Sequence, residues 1–151
     1  MNVELVKMEL RDVHLLQAMQ KKAFQPLLDK YKDYETNPVN ESLERLTEKI
    51  LSSSFFKITA DNEVVGAIRI VQRNNSNWIR PIFILPEYQG KGIAQKAMIL
   101  VEDLFSEYKT WQLQTILQEK GNCYLYEKMG YRRTDFERPI NSKMTIIGYK
   151  K

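Results

Sequence analysis

The sequence predicts an α/β protein with a mixed sheet, and three observations carry that expectation. Ile82-Phe83-Ile84-Leu85 is an unbroken apolar run, as in a strand buried on both faces. Directly after it, Gly90 and Gly92 flank Lys91, and Ala94, Ala97, Met98, Val101 and Phe105 then recur at helical spacing. Short β-type and helical segments follow one another in the order β-α-α-β-β-β-α-β-α-β-β. Hairpins in that order supply antiparallel pairs and a helical crossover supplies a parallel one. A chain of 151 residues is expected to form a single domain, 1–151, around one sizeable core.

Val3, Leu5 and Met8 alternate in a first strand. A helix follows from about Asp12 on Val13, Leu16, Met19 and Ala23, and Pro26 should break or kink it, with Leu27, Leu28 and Tyr31 continuing the apolar face. Lys30 to Asn40 is polar and reads as a loop. Asn40 is then the N-cap of a second helix carrying Leu43, Leu46, Ile50 and Leu51. Phe55 to Thr59 is a strand, Asp61-Asn62-Glu63 a hairpin turn and Val64 to Val71 the return strand. Asn74-Asn75-Ser76-Asn77 forms a further turn into the central strand, Trp78 to Leu85, which Pro86 ends because proline donates nothing to a ladder. Pro81 lies inside that strand and implies a bulge. Beyond the central helix, Trp111 to Leu117 is a strand, Asn122 to Met129 a short helix, and Tyr131 to Glu137 and Met144 to Lys150 the last two strands.

Apolar content of 43% and charged content of 28% are those of an ordinary globular chain. The net charge of +4 is dispersed, so no nucleic-acid-binding tail or basic helix is visible. One cysteine, Cys123, excludes an internal disulfide framework. Glu4, Lys7 and Glu9 interrupt the first residues, which therefore do not read as a signal peptide. No apolar run approaches the roughly 20 residues that span a bilayer. The expected location is the cytoplasm.

The turn Gln89-Gly90-Lys91-Gly92-Ile93-Ala94 aims backbone N–H groups and the positive end of a helix dipole at one point, which makes it a phosphate cradle. It is neither a Walker loop nor a dinucleotide G-x-G-x-x-G, since Gln95 holds the third glycine position. As Q-x-x-G-x-A it resembles the [Q/R]-x-x-G-x-[G/A] signature of the GCN5-related N-acetyltransferase (GNAT) superfamily. The stretch Asn122-Cys123-Tyr124-Leu125-Tyr126-Glu127-Lys128-Met129-Gly130-Tyr131 is similar to a second segment of the same family.

The resemblance implies a GNAT-like acyl-CoA N-acyltransferase fold with splayed central strands, acetyl-CoA as co-substrate, and no metal. The N–H groups of Ile82 and Ile84, on either side of Phe83, would then lack ladder partners and face acetyl-CoA. Gln89, Gly90, Lys91, Gly92, Ile93 and Ala94 would hold its pyrophosphate, with Lys96 at the rim and Asn122 as a further contact. Tyr126 is the candidate general acid, a phenol that protonates the departing thiolate, whereas Tyr124 and Tyr131 read as core. Glu119, just past the fifth strand, is the candidate base, against the competing readings of a surface glutamate and of a water chain. Cys123 has no histidine at hand, because His14 is remote, and reads as packing.

The acceptor pocket is expected on the helix–loop–helix from Phe24 to Asn40, with Tyr31 and Tyr34 lining it. Arg69 and Arg80 either bind an acidic acceptor or pair with carboxylates. The expected function is direct acetyl transfer from acetyl-CoA to the primary amine of a small molecule such as an amine, polyamine or amino acid. The alternatives are a non-catalytic acyl-CoA sensor module and a transferase acting on a protein or peptide amine. The expected partner is thus a small-molecule amine acceptor, with no nucleic acid and no membrane; a homodimer is compatible with this.

Overall fold

The computed structural model describes all 151 residues. Seven strands form one sheet: β1 Val3–Lys7, β2 Ser54–Ala60, β3 Glu63–Arg73, β4 Ser76–Ile84, β5 Thr110–Ile116, β6 Arg132–Asn141 and β7 Met144–Lys150. The helices are α1 Val13–Tyr31, α2 Leu43–Ser52, α3 Ile93–Leu104 and α4 Lys120–Lys128. Across the sheet the order is β1-β2-β3-β4-β5-β7-β6. Every neighbouring pair is antiparallel except β4–β5, which the crossover through α3 makes parallel, as the element order predicts. The hairpins at Asp61-Asn62 and Asn74-Asn75 turn on pairs of residues with positive φ, which Asn and Asp tolerate better than other side chains.

The parallel pair is short. It runs from Ser76↔Thr110 to Ile79↔Leu113 and stops, so the second half of β4 has no strand partner on its β5 side. The divergence begins at a bulge. Ile68 faces Ile82 and Ile70 faces Ile79, so Arg80 and Pro81 together oppose the single residue Arg69. This is the bulge that Pro81 implied: its missing N–H takes it out of the ladder and the extra residue bends the strand away.

Helices cover both faces. On one, α1 and α2 bury Leu16, Met19, Leu46 and Ile50 against Phe55, Ala67 and Phe83, and Phe24 meets the Phe83 ring edge-on at 5.5 Å. On the other, α3 and α4 bury Ala97, Met98, Val101 and Tyr126 against Ile58, Ile68, Ile70 and Ile147. Leu16 and Leu46 have no exposed surface, and truncating either to alanine would cost about 2–5 kcal/mol.

Four local expectations are corrected. Pro26 does not end the first helix, which runs unbroken to Tyr31. Pro26 and Lys22 are exposed, so the Lys22 carbonyl that loses its helical partner faces water, while Leu16, Met19, Leu28 and Tyr31 hold the buried face. Tyr31 is accordingly helical rather than part of a loop, and the left-handed Lys32 caps the end. The N-cap of α2 is Ser42, whose hydroxyl accepts from the Arg45 N–H at 3.2 Å; Asn40 belongs to a 3₁₀ turn over Pro38–Asn40. Ser76 and Asn77 lie in β4, not in the turn. Asn77 is fully buried because its amide donates to the carbonyls of Phe105 and Tyr108 at 3.2 and 3.0 Å, tying the approach to β5 onto β4. No helix is long and apolar enough to cross a membrane.

Candidate active site

Where β4 and β5 part, a cavity of about 380 Å³ opens. Its floor is Ile79 to Ile82 of β4 and Leu113 to Ile116 of β5. Phe24, Leu27 and Tyr31 of α1, with Asp33 and Thr36 to Pro38 beyond it, form one wall, and Asn122 and Tyr126 of α4 reach it as well. The far wall is the last hairpin, through Arg138 and Ile140 of β6 and Met144 and Ile146 of β7.

Backbone donors face the gap. The Leu85 N–H donates to the Val65 carbonyl at 2.8 Å, on the β3 side. Strand alternation then turns the N–H groups of Ile82 and Ile84 the other way, towards a β5 that is no longer paired. The Ile84 carbonyl also faces that side, where the Gln89 side-chain amide donates to it at 2.9 Å. Gln89 therefore ties the glycine turn to the end of β4, and its side chain is engaged within the chain rather than offered to a ligand. Ile82 lines the cavity, whereas the side chains of Phe83 and Ile84 are packed in the two cores, leaving only their backbone to the site.

The turn itself has the shape of an anion cradle. Gly90 and Gly92 adopt φ of 77° and 78°, and nothing lies within 4 Å of where a Cβ would stand at either. Gly92 is the N-cap of α3 with no side-chain cap, and the first intrahelical bond is Lys96 N–H to the Gly92 carbonyl. The N–H groups of Ile93 and Ala94 are thus free at an exposed helix start. The Ile93 side chain is buried and pins this end of the helix, and the Lys91 ammonium sits 5.8 Å above the Tyr88 ring.

Tyr126 is buried between Tyr131 and Tyr149, with ring centroids 6.2 and 5.9 Å away, and its hydroxyl has no hydrogen-bond partner within the chain. Burial, with the Cys123 thiol beside it, pushes its pKa up to about 12. Tyr131 is core, as expected, but Tyr124 is 71% exposed and is not. Cys123 is buried, its sulfur against the carbonyls of Ile116 and Leu117, in the packing role expected of it.

Two expected site residues are placed elsewhere. Tyr34, in the turn beyond the left-handed Lys32, is 73% exposed and misses the cavity. Glu119 does not line the cavity either. Its carboxylate accepts from the Tyr31 hydroxyl and from the Lys30 ammonium, the latter at 2.8 Å. Burial pushes the Glu119 carboxyl up, but those two donors outweigh it and hold the group below the usual carboxylate range. Glu119 is thus a committed anion bracing α1 against the start of α4, poorly suited to taking a proton from an acceptor. Tyr31 is buried and lines the cavity; burial and the Glu119 carboxylate raise its pKa, and Asn141 of the last hairpin donates to its carbonyl at 2.8 Å. Arg80 lines the cavity and carries no ion pair, while Arg69 lies outside it and donates to the Arg80 carbonyl and the Ser53 hydroxyl.

Sequence reasoning missed the hairpin wall and Asp33. The strand expected to end at Glu137 runs on to Asn141, and this extension carries Arg138 and Ile140.

The chain matches the sequence profile of the acetyltransferase (GNAT) family over residues 15–131. No curated protein matches it. Among solved structures, the PaiA N-acetyltransferase of Thermoplasma acidophilum in complex with coenzyme A superposes with a TM-score of 0.81 at 19% identity, covering 100% of both chains. The spermidine N-acetyltransferase of Vibrio cholerae in complex with CoA and spermine gives 0.76 at 19% identity, over 99% of this chain and 94% of that one. The ribosomal-protein-S18-alanine N-acetyltransferase of Escherichia coli gives 0.75 at 12% identity, over 99% and 92%.

Proposed function

Because the chain belongs to the acetyltransferase (GNAT) family, we propose that residues 1–151 act as one catalytic unit that acetylates the primary amine of a small molecule with acetyl-CoA. The observation that carries this reading is the open wedge between β4 and β5. It joins unpaired backbone donors, a phenol with no partner and a glycine turn with an uncapped helix start. These features fit an elongated thioester with a phosphate at one end, and the coenzyme A held by the Thermoplasma protein and the Vibrio protein supports the same choice.

Acetyl-CoA supplies an activated acetyl group on sulfur. The N–H groups of Ile93 and Ala94, in the turn opened by Gly90 and Gly92, hold its pyrophosphate, and Lys91 adds charge at the rim. The N–H groups of Ile82 and Ile84 hydrogen-bond the amide and thioester carbonyls of the arm in place of a strand, and Asn122 adds a polar contact. Tyr126 keeps its proton at neutral pH and holds it for the departing sulfur. The cavity keeps the amine against the thioester, a positioning effect that can supply about 7–11 kcal/mol of the barrier. Asp33, the one carboxylate lining the cavity, is already engaged by Thr36, so water carries the amine's proton away.

The acceptor would share with the thioester arm a cavity of about 380 Å³, room that suits a small amine. The test is an amine panel with saturating acetyl-CoA, scoring release of the coenzyme A thiol. Acetyl-CoA raises the melting temperature and some amine releases thiol if the reading holds. A rise in melting temperature with no release from amines, amino acids, polyamines or peptides would identify a sensor module instead.

A further inference from the structure

The charges lining the cavity are the opposite of what a polyamine needs. Asp33 is the only carboxylate there, whereas Arg80 and Arg138 bring two guanidinium groups. Asp33 is 5% exposed and its oxygens are already engaged by Thr36, which donates from its N–H at 3.0 Å and from its hydroxyl. Glu119, nearby on the outside, is committed to Lys30 and Tyr31. Neither Arg80 nor Arg138 takes part in any ion pair of the chain.

The two arginines are exposed residues on opposite sides of the split sheet. Arg80 is in the β4 bulge, and Arg138 is on β6 directly across from Ile146, another lining residue. Behind Arg80, the half-buried Arg69 donates to the Arg80 carbonyl at 3.1 Å and adds a third positive charge. This end of the cavity is remote from the phosphate cradle. Arg80 is separated from the end of β4 by Pro81 to Ile84, roughly 13 Å of strand, before the glycine turn begins. The arginines are therefore not required for the pyrophosphate.

We propose that the acceptor is an amine that also carries a carboxylate or a phosphate, and that Arg80 and Arg138 hold that anionic group. The inference rests on the acetyl-transfer reading and narrows its substrate. A guanidinium offers a planar fork of donors that matches either anion, and two that line one cavity without an ion-pair partner give an acceptor's oxyanion a choice of charged donors. A spermidine-like acceptor would instead bring several positive charges towards two others, with no free carboxylate to receive them.

The experiment compares matched acceptors on the full chain with saturating acetyl-CoA: an amino acid against its carboxamide, and an aminoalkyl phosphate against the amino alcohol, with spermidine as the polyamine arm. The anionic member of at least one pair is expected to show a KM lower by about tenfold or more. Which pair responds separates carboxylate from phosphate. Arg80→Gln and Arg138→Gln should each raise that KM about tenfold while the KM for acetyl-CoA holds, and lysine at either position should restore part of the loss. Preference for spermidine or for the neutral member of both pairs in the native protein overturns this inference and leaves acetyl transfer standing. So does an anionic preference that survives in the folded double variant. Thiol release from no amine at all overturns the transfer reading, and the inference falls with it.

Discussion

At Tyr126, burial pushes the pKa up to about 12, so the phenol stays protonated well beyond the range in which a free tyrosine would begin to ionise. An acid raised in this way is in its working form at every pH below that value. The rate should therefore show no loss from this group up to about pH 10, where an exposed tyrosine would be half ionised. Tyr126→Phe keeps the ring between Tyr131 and Tyr149 and removes only the proton. Turnover is expected to fall by about 10²–10⁴ with acetyl-CoA affinity little changed, and the loss should shrink for acyl donors with better leaving groups. Single-turnover kinetics on both proteins makes the measurement, and equal chemical rates would assign the tyrosine to the core alone.

The turn between β4 and α3 works as one element. Gly90 and Gly92 supply positive φ, Gln89 fastens the turn to Ile84, and Ile93 pins the helix start. A Cβ at Gly92 meets no neighbouring atom, so the fold should survive Gly92→Asp with a backbone cost of about 1–2 kcal/mol. Its carboxylate would stand at the proposed pyrophosphate site, and the rise in melting temperature that acetyl-CoA should cause is expected to vanish. An undiminished rise in the folded variant would move the phosphate site elsewhere.

This was the most legible part of the chain, because glycine spacing, a buried strand and a helical stripe are all local signals. Pro81 was legible for the same reason, a proline in a ladder having few ways to be accommodated. Pro26 misleads because its cost is local while the face that overrides it, on Leu16 and Met19, packs against residues far away in sequence. The wall of the cavity is only half visible in the sequence. Tyr31 and Tyr34 look alike in the sequence, but Tyr31 is on the buried face of α1 and Tyr34 lies exposed in the turn beyond it. Asp33 and the Arg138 hairpin meet the cavity through tertiary folding that no short window records.

Over the whole molecule, the sheet is two halves, β1–β4 and β5–β7, joined by a ladder that runs only from Ser76 to Ile79. The Asn77 amide and the brace of Lys30, Tyr31 and Glu119, with Asn141 on the Tyr31 carbonyl, add cross-links between distant segments. Glu119 has a folded pKa below its ordinary value. Its contribution to stability is thus fully present above the ordinary carboxylate pKa and is lost as pH falls through the lowered one. Glu119→Gln should lower the melting temperature at neutral pH and flatten its acid limb, and it should raise the acceptor KM through a looser Tyr31. Calorimetry across pH with parallel kinetics checks this. Full activity loss at an unchanged melting temperature would instead return Glu119 to the chemistry.

The parting of β4 from β5 also leaves a mark in time. Amides in the middle of a seven-stranded sheet ordinarily give up their protons only when the sheet opens, whereas those of Ile82 and Ile84 point into a gap and have no neighbour to hold them. In heavy water these two should exchange like residues of an outer edge, out of step with Phe83 between them, whose N–H points to the β3 side. Coenzyme A, by taking the place of the absent strand, should slow both to the pace of their neighbours. The protein would then carry an edge at its centre, one that a ligand rather than another strand is shaped to close.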